Sequence, residues 1–243
     1  VFPVIGSVLM PTPAAVLAGG RLLSQGTGNG SGLGDLMIFD VGGATTDVYS
    51  YSDVSSRRMK HAGAPESFSK RTVEGDLGVR SSCLSLTEAM GRKLRDTDVG
   101  LTEDELRVSC QKRYEESAYV PDSLPQQKLE QRLAEGAVEI SARRHCGRVI
   151  NVYAKKAVKI VEGKDLRDVS CIVGTGGPIV FSRDPLRVLR QALSRNCEQG
   201  ILLPEAADFY LDKSYLLYAI GLCCGSSPEG ALQIAKQNIV RIS

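Results

Sequence analysis

A pair of strands joined by a glycine turn can be read in Leu36-Met-Ile-Phe-Asp-Val-Gly-Gly-Ala-Thr-Thr-Asp-Val-Tyr-Ser-Tyr51. The run Leu36-Met-Ile-Phe39 is continuously apolar, which is typical of a strand that is buried on both faces. The run Thr45–Tyr51 alternates and is rich in β-branched and aromatic residues, which favours a second strand. The glycines between the two runs predict a hairpin or a tight strand–turn–strand.

The same turn contains the residue types that a phosphate site needs at the end of a strand. Glycine lets backbone N–H groups approach phosphate oxygens, because a Cβ would block the approach. Hydroxyls add donors, and carboxylates hold Mg²⁺ through water or orient an attacking water. The residues concerned are Asp40, Gly42, Gly43, Thr45, Thr46 and Asp47. A structural hairpin with a Gly-Gly turn capped by aspartates explains this octapeptide equally well.

A second glycine turn ends another apolar strand further along the chain. The strand Ser170-Cys-Ile-Val173 leads into Gly174-Thr-Gly-Gly-Pro178, and Pro178 suits the first turn of a following helix. The glycines of this turn, Gly174, Gly176 and Gly177, would let a flat ring or a phosphate lie against the backbone. Glycine turns between a strand and a helix are common, so this turn alone is weak support for binding. The pair of turns favours a nucleotide site.

The rest of the pattern mixes helical and strand-like segments and predicts an α/β fold. The glycine-rich run 26–34 lacks the Lys-Ser/Thr ending of a P-loop, so we interpret it as a flexible connector. Helices are predicted over 12–25, 77–95, from Thr102 onward, 126–145, 183–195, 211–222 and 229–240, a turn over 55–58, and strands over 68–73, 149–153 and 158–161. We expect one lobe over 1–243, with its core in 1–84 and 148–243 and a mostly helical insertion over about 85–147.

Composition excludes several classes of protein. The 30 Lys and Arg against 28 Asp and Glu give a net charge of +2, so nothing in the charge indicates nucleic acid. No apolar run reaches the roughly 18 residues that span a bilayer, and no signal-peptide pattern is present, so we expect no membrane contact. The seven cysteines are scattered without a CxxC pair, which favours reduced thiols in a cytoplasmic protein over disulfides or a zinc site.

Four single residues allow simple predictions. We expect Asp76 to cap a helix that begins at Leu77. Arg80 is a candidate phosphate or partner contact, although a solvated charge on a helix face is the simpler interpretation. His61 and His145 lack neighbours at ligand spacing, so we expect them at the surface or in local hydrogen bonds.

The two glycine turns together resemble a known pair of motifs. Asp40-x-Gly-Gly-x-Thr-Thr-Asp47 followed by apolar-Gly174-x-Gly-Gly-Pro178 is similar to the second phosphate motif and the adenosine motif of the actin/Hsp70/hexokinase ATPase superfamily. More closely, the sequence resembles the MutL (also called GlmL) family of glutamate mutase accessory proteins. The matching stretches span nearly the whole chain: Met10–Val16, Gly34–Val48, Arg71–Arg80, Glu162–Leu166, Ile172–Val180 and Asp212–Gly221.

The resemblance implies an actin-like (ribonuclease H-like) ATPase lobe. It also implies a chaperone-like role with ATP and Mg²⁺, in which an adenosylcobalamin-dependent carbon-skeleton mutase is reactivated. Carried over to this sequence, the β/γ-phosphates would be cradled by Gly42, Gly43, Thr45 and Thr46. Asp40 would order Mg²⁺ through water, or the hydrolytic water, and Asp47 would support the loop. Adenosine would be flanked by Gly174, Gly176 and Gly177.

One departure from the superfamily pattern affects these expectations. The first phosphate motif of the superfamily lies in an N-terminal lobe, and Val4-Ile-Gly-Ser7 lacks the acid that would precede its glycine. The resemblance therefore implies a C-terminal fragment that lacks the N-terminal lobe, binds ATP poorly and is inactive by itself.

Two other functions remain open. A metabolite kinase of the same fold would need a catalytic base such as Asp40, but the chain has no Trp and only 5% aromatic residues for a sugar site. A non-catalytic actin-like assembly module would use the same glycine turns only as structure.

Overall fold

A computed structural model describes residues 10–53, 61–64, 66–95, 99–153, 157–196 and 200–243. The helices are α1 Thr12–Gln25, α2 Cys83–Met90, α3 Arg92–Arg95, α4 Glu103–Glu115, α5 Leu124–His145, α6 Gly177–Val180, α7 Pro185–Leu189, α8 Leu217–Cys223 and α9 Pro228–Asn238. The strands are β1 Gly26–Thr27, β2 Gly30–Ser31, β3 Leu36–Val41, β4 Thr46–Tyr51, β5 Ser69–Glu74, β6 Arg148–Tyr153, β7 Ala157–Glu162, β8 Cys171–Thr175, β9 Asp208–Asp212 and β10 Ile239–Arg241.

The central sheet has the strand order β10-β9-β8-β3-β4-β5. Strands β3, β4 and β5 form an antiparallel meander, whereas β8 is parallel to β3 and β9 is parallel to β8. Strand β10 pairs antiparallel with β9 at the edge. The carboxyl ends of β3, β8 and β9 therefore meet at one edge of the sheet, which is where ligands bind in open α/β sheets.

Alternating side chains of the sheet enter two separate layers of core. Met37, Phe39 and Val48 pack on the side of α2 and α5, where one large apolar cluster lies. Ile38 and Tyr49 pack on the opposite side, against α1, α8 and α9. Successive side chains of a strand point to opposite faces of the sheet, and helices cover both of these faces. The predicted α/β class is therefore confirmed.

The helical region after β5 packs directly on the sheet. Helix α4 begins with a capping box in which the Thr102 hydroxyl accepts from the Glu105 N–H and the Glu105 carboxylate accepts from the Thr102 N–H. Helix α5 then crosses the meander and contacts β3, β4 and β5. The helices of residues 83–145 thus supply much of the layer that covers one face of the sheet.

Three predicted helices differ from the structure. The helix predicted from Leu77 begins at Cys83, because the N–H groups of the intervening segment bond to the glycine turn instead. The helix predicted over 211–222 begins only at Leu217, because Leu211 lies in strand β9. The segment 183–195 contains only the short α7, followed by 3₁₀ turns.

Smaller differences concern loops. The run 26–34 is not a wholly flexible connector, because β1 and β2 pair as a small hairpin within it. The predicted turn over 55–58, the stretch Val4–Ser7 and Cys197 lie outside the described residues. The other six cysteines carry free thiols. Across the described ranges, no helix combines the length and apolarity that crossing a membrane requires.

Candidate functional site

The candidate site lies at the edge where β3, β8 and β9 end. Asp40 is the penultimate residue of β3, and in the sheet register it lies opposite Asp47 on β4 and opposite Thr175 on β8. Residues that lie directly opposite each other in a sheet project from the same face. The first and last residues of the Asp40–Asp47 motif therefore point to the same side, towards α1 and α8.

The glycine turn after β3 is held from one side by the segment that follows β5. Three donors of this segment bond to the carbonyl oxygens of the turn: Val79 N–H to Gly42 O at 3.1 Å, Arg80 N–H to Gly43 O at 2.7 Å, and Ser82 Oγ–H to Ala44 O at 2.6 Å. The carbonyl groups of the turn are thereby satisfied and fixed in direction.

Three of the four N–H groups of the same turn have no acceptor in the described part of the chain. The Gly42 N–H donates to Thr45 O at 2.9 Å. The N–H groups of Gly43, Ala44 and Thr45 have no hydrogen-bond acceptor among the described residues. Successive free N–H groups in a turn create a concavity that binds anions, so this turn can hold a phosphate.

The two threonines of the motif have different surroundings. The Thr45 hydroxyl is partly exposed at the turn and donates to Asp47 Oδ2 at 3.2 Å. The Thr46 hydroxyl is fully buried and donates to the Leu77 carbonyl at 2.8 Å. Thr46 therefore ties β4 to the segment that holds the turn, and its hydroxyl does not face the site.

The two aspartates are also distinguished by their partners. Asp47 is buried and forms an ion pair with Arg71 on β5, with Nη2 and Oδ1 2.6 Å apart. The carboxylate of Asp40 has no hydrogen bond or ion pair with any described residue. Burial, followed by the negative charges of Asp47 and Asp212, raises the pKa of Asp40 to about 6. A carboxylate with such a pKa is suited to exchanging protons near neutral pH.

The three glycines of the second turn differ in what an added Cβ would contact. Gly176 has φ of +87°, and a Cβ there would lie 2.2 Å from the carbonyl oxygen of Val41. A Cβ on Gly174 would lie 2.7 Å from Cγ2 of Ile179, so this glycine admits the packing of α6. Gly177 has open space in front of its Cα, where the nearest atom to an added Cβ is 3.9 Å away. Of the three, Gly177 has room for a ligand.

Both glycine turns line one cleft of about 620 Å³. Gly42 and Gly43 line it from the turn after β3, and Gly177 and Pro178 line it from the turn after β8. A cleft of this size suits a small organic ligand such as a nucleotide. Other lining residues are Val79, Arg80, Ser117, Val120, Pro121, Gln127, Glu130, Gln131, Phe181, Ser182, Arg183 and Tyr215.

Asp40 itself faces a smaller neighbouring pocket of about 170 Å³. Thr175 and Asp212 line this pocket as well, and Tyr215 lines both the pocket and the cleft. Among the described residues, Tyr215 is the one non-glycine residue with positive φ, at 57°. Such backbone conformations persist where the surrounding structure imposes them, often at functional sites.

Sequence reasoning missed Asp212, which organises the floor of the small pocket. Its buried carboxylate accepts from Thr175 Oγ1 at 2.9 Å and from the N–H groups of Leu216 and Leu217 at 2.9 and 3.0 Å. It also accepts a hydrogen bond from the side-chain amide of Asn238 on α9. The alternating run Asp208-Phe-Tyr-Leu-Asp212 was the available signal for a strand that ends in this acid.

The predictions for Asp76 and Arg80 are corrected by the ion pairs they form. Asp76 does not cap a helix, because α2 begins at Cys83; its carboxylate binds the Arg144 guanidinium instead, at 2.8 and 2.9 Å. Arg80 is not a solvated charge, because it lines the cleft and pairs with Glu130 at 2.7 Å. Asp76 is thus a structural residue, whereas Arg80 belongs to the site.

The histidine prediction is confirmed in part. His145 is buried rather than at the surface, and it forms local hydrogen bonds to Thr72 Oγ1 and Ser50 Oγ, both at 2.8 Å. His61 is partly buried. In the part of the chain that the structure describes, no group of three His, Cys, Asp or Glu residues has the arrangement of a metal cage.

The arrangement nevertheless fits a nucleotide with Mg²⁺. Mg²⁺ usually keeps several waters and is held by one or two carboxylates together with substrate phosphates. Asp40 is a carboxylate without another partner, and the free N–H groups of Gly43 to Thr45 are donors for phosphate oxygens. The site therefore offers the two kinds of group that such a ligand needs.

Comparison with known proteins identifies similar sequences. A family model described as "MutL protein" matches residues 2–239. Protein MutL of Clostridium tetanomorphum is 39% identical over 242 residues, and the alignment covers 98% of this chain and 52% of that protein. The chain thus spans about half the length of the curated relative that it matches.

Proposed function

Because this chain belongs to the MutL family, we propose that it is the nucleotide-binding lobe of an accessory ATPase that assists or reactivates an adenosylcobalamin-dependent carbon-skeleton mutase such as glutamate mutase. The family name suggests the accessory role. The partners in this proposal are ATP, Mg²⁺ and a mutase subunit in the cytoplasm, with no nucleic acid or membrane involved.

The observation that carries the nucleotide part is the shared cleft. Two glycine turns that are far apart in the sequence line the same space of about 620 Å³, and three successive N–H groups of the first turn have no acceptor among the described residues. A purely structural hairpin would need neither feature. The turn after β3 supplies donors for phosphates, and the turn after β8 supplies open backbone at Gly177 for the nucleoside.

We assign the lobe to the actin-like (ribonuclease H-like) fold. In support, a three-stranded meander continues into two parallel strands with helices on both faces. This order brings Asp40 and the second glycine turn to one edge, as binding of one nucleotide by both motifs requires.

The residues of the site have separate roles in this proposal. The N–H groups of Gly43, Ala44 and Thr45 bind the β/γ-phosphates, and the Thr45 hydroxyl turns from Asp47 Oδ2 to add a donor. Asp47, neutralised by Arg71, keeps β4 and the turn in place. Asp40 acts from the adjacent pocket through water, because it does not line the cleft itself.

Asp40 would hold Mg²⁺ through water, and the ion would supply positive charge that stabilises the phosphates. The contribution of this chain is to orient water with Asp40. Its raised pKa of about 6 means that the carboxylate is largely ionised at neutral pH and can take up a proton.

The test uses the full-length protein and its mutase, with ATP affinity and the ATPase rate as measurements. Asp40→Ala should abolish hydrolysis while retaining ATP binding, and Gly43→Val should weaken binding because a side chain there meets Arg80. Gly225→Val is the matched control, since a Cβ at Gly225 has no atom within 4 Å.

Hydrolysis by both site variants at the wild-type rate would refute the assignment of this loop. Transfer of phosphate to a metabolite rather than to water would indicate a kinase. Mutase binding without any ATP binding would indicate an assembly module.

A further inference from the structure

Arg80 lies beside the glycine turn after β3 and contacts a carboxylate and two carbonyl groups. Its Cβ and Cγ lie 3.3 Å from the position of a Cβ on Gly43, so the side chain passes over the turn. Its Nη1 contacts Glu130 Oε1 at 2.7 Å and the Val79 carbonyl at 2.9 Å, and Nη2 donates to the Tyr119 carbonyl at 3.0 Å. Both Arg80 and Glu130 line the cleft.

Glu130 also forms an ion pair with a second cation, which is fixed in place by burial and by other hydrogen bonds. Arg113 is fully buried, and its Nε donates to Glu130 Oε2 at 3.0 Å. The remaining donors of Arg113 bind Gln126 Oε1, the Gln126 carbonyl and the Ser109 carbonyl at 2.8 to 3.1 Å. Glu130 therefore stays paired if Arg80 moves away, which avoids the large cost of an unpaired buried charge.

We propose that Arg80 changes its partner when a nucleotide binds. It leaves the Glu130 carboxylate and binds the terminal phosphate of a nucleotide that is held by the Gly43–Thr45 turn. This inference rests on the proposed nucleotide site. A terminal phosphate carries more charge than a carboxylate, and guanidinium binds it with two parallel hydrogen bonds. The exchange is therefore favourable when a phosphate is present and reverses when it departs.

The exchange also changes the segment between α4 and α5. The Tyr119 carbonyl loses the Nη2 hydrogen bond when Arg80 moves, while its ring keeps Lys112 Nζ at 4.4 Å and the Arg113 guanidinium at 5.1 Å. The neighbouring residues Ser117, Val120 and Pro121 form a lip of the cleft, and the Val120 side chain is 76% exposed. The presence of a terminal phosphate is thereby transmitted to the segment that forms this lip.

The test measures binding of ATP, adenosine and inorganic tripolyphosphate to the full-length protein. Arg80→Gln should weaken ATP and tripolyphosphate by roughly tenfold or more and leave adenosine unchanged. Glu130→Gln should tighten ATP and tripolyphosphate, because Arg80 is released from its competitor. This gain should vanish when Glu130→Gln is combined with Arg80→Gln, and Arg80→Lys should fall between wild type and Arg80→Gln.

Hydrogen exchange of residues 117–121 provides a second measurement in case Glu130→Gln does not fold. ATP should change the exchange rate of this segment in wild type, adenosine should not, and Arg80→Gln should abolish the ATP effect. Unchanged ATP binding in Arg80→Gln, or weaker binding in Glu130→Gln with a normal fold, would overturn the role of Arg80. If wild type binds none of the three ligands, the nucleotide site itself is wrong.

Discussion

Arg71 binds one oxygen of Asp47 twice: Nε donates to Oδ1 at 2.8 Å, and Nη2 lies 2.6 Å from the same atom. Asp40 lies directly across the strand pair from Asp47 but has no such partner among the described residues. The two acids that bracket the glycine turn are therefore different in kind. Asp47 is neutralised and structural, whereas Asp40 keeps its charge at a cost in stability, as functional carboxylates often do.

Replacing Asp40 by Asn should stabilise the protein at neutral pH. The pKa of Asp40 is raised from 3.8 to about 6 in the folded state, so its ionisation opposes folding. Protonated Asp40 is favoured in the folded state, so its contribution to stability is fully present below pH 3.8. That contribution is lost as the pH rises through about 6. We expect Asp40→Asn to raise the free energy of unfolding by about 3 kcal/mol at pH 7.5, with the difference shrinking towards zero near pH 4. Urea unfolding at several pH values measures this.

Asp47→Asn is the matched control, since it changes the partner of Arg71 rather than an unpaired acid. It should lower the free energy of unfolding by about 1 kcal/mol, because the ion pair is only partly buried. A stability gain in Asp47→Asn, or a loss in Asp40→Asn at pH 7.5, would contradict the division of roles between the two carboxylates.

The two threonines of the motif should respond in opposite ways to replacement by valine. Thr46→Val leaves the Leu77 carbonyl without its buried hydroxyl donor, which should cost about 1–2 kcal/mol of stability with little change in ATP affinity. Thr45→Val should leave stability within about 0.5 kcal/mol and weaken ATP binding, because it removes a partly exposed hydroxyl that lies next to the free N–H groups of the turn. Thermal unfolding and ATP titration on both variants check this, and equal effects on affinity would argue against our placement of the Thr46 hydroxyl.

Gly176 and Gly177 are adjacent but should differ sharply in tolerance. An alanine at Gly176 is strained by φ of +87° and meets the Val41 carbonyl oxygen at 2.2 Å, so we expect a loss of about 3 kcal/mol or more. Gly177→Ala meets only Phe181 at 3.9 Å and should fold normally. Any loss of ATP affinity in Gly177→Ala would then reflect the cleft and not the fold; a normal melting temperature for Gly176→Ala would show that the turn packs differently.

The local sequence predicted those parts of the fold that depend on local chemistry. The apolar run of β3, the alternation of β4 and the helix start at Thr102 all follow from side-chain pattern or capping. The shared edge of the two glycine turns also follows, because parallel strands end on the same side of a sheet. These features predict the α/β class and place Asp40 at the same edge of the sheet as the second turn.

Features set by long-range contacts could not be read in the same way. The segment from Leu77 has helical periodicity, but its N–H groups bond to the glycine turn and delay the helix to Cys83. The Thr46 hydroxyl is part of the motif, yet its partner is a carbonyl 31 residues away. Tyr215 lines both the cleft and the small pocket and has positive φ. No local sequence pattern predicts this backbone conformation.

Acid should destabilise the protein through His145. Burial, followed by the positive charges of Lys70 and Lys164, lowers the pKa of His145 to about 3, compared with 6.5 for the free side chain. A lowered pKa in a basic group means that the unfolded chain binds the proton first, so stability is lost as the pH falls from 6.5 towards 3. The loss should approach 1.4 kcal/mol per pH unit over that range.

His145→Gln should reduce this acid dependence, because the amide does not titrate and can still bond to Thr72 or Ser50. Its stability at pH 8 should fall by about 1–2 kcal/mol through imperfect hydrogen bonding. As a control, His61→Gln changes the chain's other histidine. It should not alter the loss of stability in acid that comes from His145. Urea unfolding from pH 8 to pH 4.5 gives the slopes, and the same slope in His145→Gln and wild type would show that this histidine is not the group that titrates on unfolding.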